Sequence, residues 1–226
     1  MKKLFVLFVI CFLNLSLFMA SVSAQRNRNE AFATYTFSDL AISTINVVEA
    51  NTLNSSLTLT GSAVSEAVVE MYVSHNSSRT RSRQWSDEEI KRYLEENHTI
   101  EVKVDGEKLL IVAKPKTNGS ERYSVSFKIT VPKQMNSNLK TTNGSVRISN
   151  LSGSQKFSTV NGSLKIDNVS GKISGCTVNR SITVTNSNDD INLSTVNGSI
   201  TAKDCEGKIN LSTVNGRISR QRAGEN

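Results

Sequence analysis

From Thr141 onward apolar and polar residues alternate, and the alternation repeats every 18 residues without an insertion. Successive repeats begin at Thr141, Thr159, Thr177, Thr195 and Thr213 and read TTNGSVRISNLSGSQKFS, TVNGSLKIDNVSGKISGC, TVNRSITVTNSNDDINLS, TVNGSITAKDCEGKINLS and TVNGRISRQRAGEN. Side chains two apart on an extended chain share a face, so the alternation predicts strands. The same offset stays apolar from repeat to repeat, as in Val146, Leu164, Ile182, Ile200 and Ile218, in Ile148, Ile166, Val184 and Ala202, and in Ile173, Ile191 and Ile209. Strands that match in this way stack in register about 4.8 Å apart, and each coil buries its inner face only against its neighbours. A further column, Val160, Val178, Val196 and Val214, reads as inward, with Thr and Asn on either side of it pointing out.

The expected fold is therefore mainly β, a parallel β-solenoid (β-helix-like) with 18-residue coils over 141–226. The two halves of a coil echo each other, Asn197-Gly198-Ser199-Ile200 against Glu206-Gly207-Lys208-Ile209, so each half reads as one short strand and a corner. Gly144, Gly162, Gly198 and Gly216, with Gly153, Gly171 and Gly207 in the other half, mark the corners, where a positive φ is expected. Arg180 and Asp189 interrupt these glycine columns.

Residues 25–140 read as a β-rich region continuous with the solenoid, without the strict period. Ser55–Gly61 and Ala67–Val73 alternate, Ile100–Lys114 folds about Asp105-Gly106 as a hairpin, and Tyr123–Val131 is a strand stopped by Pro132. One short helix is specified over 86–97. Ser86 and Glu89 form a capping box, Trp85 can staple to Ile90, and Ile90, Tyr93 and Leu94 make its apolar stripe. These elements are expected to supply the first coils and to cap an edge otherwise open to end-to-end pairing. At the far end Arg217, Arg220 and Arg222 blunt the last coil.

The first residues bear on compartment. Lys2 and Lys3 precede an apolar run that ends in Val22-Ser23-Ala24, the pattern of a signal peptide over 1–24 cleaved after Ala24. Asn14 breaks the run, so it does not read as a spanning helix, and Cys11 lacks the small residue a lipoprotein signal wants before its cysteine. The expected localisation is export, to the periplasm or outside the cell, without stable membrane insertion. The net charge of +7 falls by two when the signal leaves. That modest excess favours anionic partners weakly and does not indicate nucleic acid. Cys176 and Cys205 stand at different offsets about one and a half coils apart, too far to pair, and read as two buried free thiols.

Candidate chemistry is sparse. With only His75 and His98, and with Asp167, Asp189, Asp190 and Asp204 read at different offsets, no carboxylate pair or metal-ligand cluster recurs on one face. No catalytic, cofactor-binding or metal-binding residue is assigned, and the chain reads as not an enzyme. Two features could meet a partner. The segment Ser74–Gln84 carries Arg79, Arg81 and Arg83, a possible loop for an anionic ligand. The column Asn143, Asn161, Asn179, Asn197 and Asn215 reads first as a structural ladder of side-chain amides along the stack.

The run from Val131 to Ile173, with TTNGSVRISNLSG followed by FSTVNGSLKIDNVSGKI, resembles the bacterial putative-adhesin family of β-strand repeat proteins, abundant in Bacteroidota. The resemblance covers Phe37–Ile218. It implies a β-helix-like fold, export and an adhesin label, and it brings no catalytic residues to carry over. The Arg-rich segment and the helix before the hairpin look like an insertion. The expected function is that of an exported, non-catalytic envelope protein, an adhesin or binding scaffold for a glycan of the envelope or host. The alternatives are an envelope-sensing partner of a membrane protein, or a polysaccharide-active β-helix enzyme.

Overall fold

The computed structural model describes residues 33–40, 45–75, 86–116 and 123–222. The 18-residue period appears as a chain that steps between two sheets, one strand in each per coil. After β1 (Ala33–Leu40), β2 (Val47–Thr52) lies in the second sheet, and β3 (Ser56–Ser62) and β4 (Ala67–His75) in the first. Helix α1 (Asp87–Asn97) leads into the hairpin of β5 (His98–Asp105) and β6 (Lys108–Pro115) in the second sheet. From β7 (Tyr123–Pro132) in the first sheet and β8 (Asn136–Lys140) in the second, the strands alternate strictly. They run through β9 (Val146–Leu151), β10 (Gln155–Ser158), β11 (Leu164–Val169), β12 (Ile173–Thr177) and β13 (Ile182–Thr185), then β14 (Ile191–Thr195), β15 (Ile200–Lys203), β16 (Ile209–Thr213) and β17 (Ile218–Gln221).

The first sheet runs β1-β4-β7-β3-β9-β11-β13-β15-β17 and the second β5-β6-β2-β8-β10-β12-β14-β16. Pairing is parallel except at β1 with β4, β4 with β7 and β5 with β6. In the repeats Leu164 pairs with Ile182 and Ile182 with Ile200, the register that the 18-residue spacing dictates. Chain order and stack order part company in one place. The coil β2–β3 lies between β6–β7 on one side and β8–β9 on the other.

The inward residues of both sheets form one apolar cluster from Ile45 to Cys205. Each fully buried Leu or Ile contributes about 1.5–3 kcal/mol over its exposed state. Volumes compensate along a column: a Cβ on Gly175 would stand 2.0 Å from the Phe157 ring, so the glycine leaves room for the phenyl in the coil before it. Gln155 occupies an otherwise apolar offset at 1% exposure, and its amide is satisfied, donating to the Met135 and Gly153 carbonyls and accepting from Ser137. Helix α1 begins with the Ser86/Glu89 capping box. It buries Ile90 and Leu94 and sets Tyr93 edge-on to Tyr123, with ring centres 5.1 Å apart. Trp85 lies outside the described residues.

Three expectations need correction. The valines of the Thr-Val-Asn units point outward, Val178 being 36% exposed, whereas Thr141, Thr159, Thr177 and Thr195 are buried. The reason is a backbone debt at the corner: the carbonyl of the residue at the glycine offset in the preceding coil faces inward and needs a donor. Thr159 and Thr177 hydroxyls donate to Gly144 and Gly162 carbonyls at 2.9 and 2.8 Å, and Thr195 donates to Arg180 at 3.0 Å. Second, of the glycines expected to mark corners only Gly207 has a positive φ. Among the described glycines only Gly106 and Gly207 adopt it, and the left-handed corners are otherwise taken by Asn150, Asn168, Asn186, Asp189 and Asp204. Gly162 is glycine because a Cβ there would stand 1.8 Å from the Gly144 carbonyl oxygen of the preceding coil. Third, both thiols are free, but only Cys205 is buried, and Cys176 is exposed.

Candidate functional site

The corner after each second-sheet strand carries two outward columns that run the length of the stack. Asn161 donates through Nδ2 to Asn143 Oδ1 at 2.7 Å, Asn179 to Asn161 at 2.7 Å, Asn197 to Asn179 at 3.0 Å and Asn215 to Asn197 at 2.8 Å. Asn143 in turn donates to Asn54 Oδ1 at 2.6 Å, which adds a rung. Each of the donors Asn143, Asn161, Asn179, Asn197 and Asn215 spends one N–H on its neighbour and keeps a second N–H on the surface. Beside the amides runs a largely apolar column of exposed Leu53, Val160, Val178, Val196 and Val214, with a half-buried Thr142 among them. Its backbone bonds pass from coil to coil, Val160 N–H to Thr142 and Val178 N–H to Val160.

The rigidity of this strip has a local cause. The Thr hydroxyl immediately before each Val ties the corner from inside, and the Asn amide immediately after it ties the corner from outside. A ligand laid along the stack meets donors and methyl groups repeated at the strand spacing, about 4.8 Å. Asn54 was not among the sequence candidates. Its signal is the run Thr52-Leu53-Asn54-Ser55-Ser56-Leu57, which matches Thr159-Val160-Asn161-Gly162-Ser163-Leu164. A second amide contact, Asn168 to Asn150 at 2.8 Å, sits at the opposite corner and does not continue: Asn186 turns instead to the Asp167 carboxylate at 3.0 Å.

Arg79, Arg81 and Arg83 lie outside the described residues. Two carboxylates of the repeats are engaged within the fold: Asp189 Oδ1 accepts from the Asp190 N–H at 2.8 Å, and Asp167 Oδ1 accepts from the Thr185 hydroxyl of the neighbouring strand at 2.6 Å. Among the described residues no group of three or more His, Cys, Asp and Glu is placed to hold a metal ion, and no helix is long and apolar enough to cross a membrane. Burial pushes the Cys205 thiol above its ordinary pKa, against hydrogen bonds to Ser187 and Lys203 that pull it down. On the outer face of the first sheet, burial raises the Glu70 carboxyl, but hydrogen bonds from Lys128 at 2.7 Å and Tyr72 at 2.9 Å outweigh it and leave Glu70 below its usual value.

The sequence matches no protein-family profile and no curated protein. Two solved structures resemble the chain. One is a putative cell adhesion protein from Clostridium sporogenes ATCC 15579, with a TM-score of 0.48 and 10% identity over 84% of this chain and 99% of that one. The other is a putative adhesin from Bacteroides fragilis NCTC 9343, with a TM-score of 0.32 and 12% identity over 83% and 97%. At these similarities the adhesin name remains theirs.

Proposed function

We propose that the chain is an exported, non-catalytic binding scaffold of the bacterial envelope, adhesin-like, that holds an extended glycan along its stack. The observation that carries this reading is the strip of surface amides and methyl groups beside the Thr-tied corners, presented coil after coil in one register. A glycan offers hydroxyl acceptors to the free amide N–H groups and apolar C–H faces to the valines. The pattern of residues 1–24 supports export.

Screening the chain from residue 25 on an array of envelope and host glycans tests the reading. Saturable binding is expected, weakened by Asn161→Ala/Asn179→Ala. A parallel Arg79→Ser/Arg81→Ser/Arg83→Ser variant decides whether the Arg-rich segment contributes. A chain that binds no glycan sinks the reading. Recovery of the protein in the cytoplasm with an unprocessed N-terminus would sink export.

A further inference from the structure

We propose that a trough on the outer face of the second sheet, flanked by two lysines, is a subsite for an acidic sugar, a uronic acid residue; the assignment rests on the glycan-binding reading and names its chemistry. Two outward columns cross this face. One passes from Glu49 and Asn138 to Lys156 and then Ser174, the other from Lys140 to Ser158, Cys176 and Ser194. Long side chains end at Lys140 and Lys156 and short ones follow, so the sheet face sinks into a trough of about 150 Å³ beside two ammonium groups.

Three observations define what the trough would take. Lys140 and Lys156 pair with no carboxylate among the described residues, and Glu49, which shares the Asn138 column, is engaged by Lys108 at 2.9 Å. Asn138 also lines the trough, on the column between Glu49 and Lys156, and its Oδ1 lies beneath the surface without a hydrogen-bond partner. The serine hydroxyls of the floor both donate and accept. Together these ask for a compact ligand with an anion at one end and several hydroxyls. A sugar acid has both, a neutral sugar lacks the anion, and inorganic phosphate lacks the array of hydroxyls.

Cys176 reports on the trough, because its thiol is exposed there while Cys205 is buried and serves as an internal reference. The experiment follows alkylation of each cysteine of the full chain by neutral iodoacetamide, resolved by peptide mass spectrometry, with oligogalacturonate, dextran or inorganic phosphate present. Oligogalacturonate is expected to slow Cys176 several-fold, and dextran and phosphate to leave it unchanged. Lys140→Ser/Lys156→Ser, which alters only exposed side chains, should abolish the protection, and Asn138→Ala should weaken it. Equal slowing by dextran or phosphate, no slowing by oligogalacturonate, or slowing that survives the lysine substitutions overturns the subsite. The glycan array then judges the broader reading independently, since binding there without protection of Cys176 leaves the strip as the contact and removes only the trough.

Discussion

The pentapeptide Ile-Asn-Leu-Ser-Thr occurs twice, as β14 and as β16, in the same offset of adjacent coils. In β14 Ile191 and Leu193 are 1% and 0% exposed; in β16 Ile209 and Leu211 are only partly buried. Sequence, strand direction and sheet face are the same, so the difference is supplied by the next coil. β14 has neighbours on both sides, whereas among the described residues β16 and β17 have them on one. The other end of the stack is treated differently, since α1 and the β5–β6 hairpin lie there, with Ile90 and Leu94 buried in the core. In a solenoid, burial belongs to position in the stack as much as to residue type.

Substitutions matched between the two copies test this. Leu193→Ala should cost about 2–5 kcal/mol in denaturant unfolding, the range for a buried leucine in a core that cannot collapse. Leu211→Ala should cost well under half of that and act mainly by fraying the last coil. Equal losses would mean that the last coil is covered after all. Next in size is the corner. Thr177→Val removes the donor to the Gly162 carbonyl and should cost about 1–3 kcal/mol, whereas Val178→Thr, one residue on and outward, should stay within about 0.5 kcal/mol. Matching effects would restore the inward valine.

Smaller again is the amide ladder. Asn179→Ala breaks two side-chain bonds and Asn215→Ala one. In thermal unfolding the first should cost about 1 kcal/mol and the second about half as much, both reduced by solvent competition. The smallest effect is that of the Cys205 thiol, which burial raises above its ordinary pKa. Such a group favours the folded state while both states hold the proton, and the contribution is lost as pH rises through the folded value. Stability should therefore decline on the alkaline side of the usual thiol range, and Cys205→Val should flatten that limb. An unchanged alkaline limb in the variant would assign it to other groups.

Much of this was legible beforehand. The parallel register followed from the period because Leu164, Ile182 and Ile200 recur at one offset, and the hairpin at Asp105-Gly106 and the cap at Ser86 announced themselves by local chemistry. The parity of the corner did not. Apolar alternation assigns Val178 to the inside, and only the carbonyl of Gly162, a long-range partner, explains why Thr177 takes that place. Glycine likewise misled, since its usual meaning is dihedral, whereas at Gly162 the constraint is the approach of the Gly144 backbone. The coil at 47–62 carried a readable copy of the repeat in Thr52 to Leu57, but it stands alone, far upstream of the other copies. Of the surface, the Asn column could be read in one dimension. The trough depends on which short side chains fall beside Lys140 and Lys156 on neighbouring strands, and that needs the pairing itself.

The displaced coil β2–β3 sets the order in which the molecule can be assembled. A chain emerging from its N-terminus makes residues 47–62 early, yet both surfaces that clamp them come later, one from 108–132 and one from 136–151. Until then the segment has no template and its loops are long, the condition under which closure is slow. After Leu151 every further coil needs only its predecessor, so growth becomes local and fast. Clamping of residues 47–62, complete only once 136–151 have been made, is thus expected to be the slow step of assembly. A truncation after Leu151 should retain a folded stub, while one before Asn136 should leave the first coil without a partner on one side.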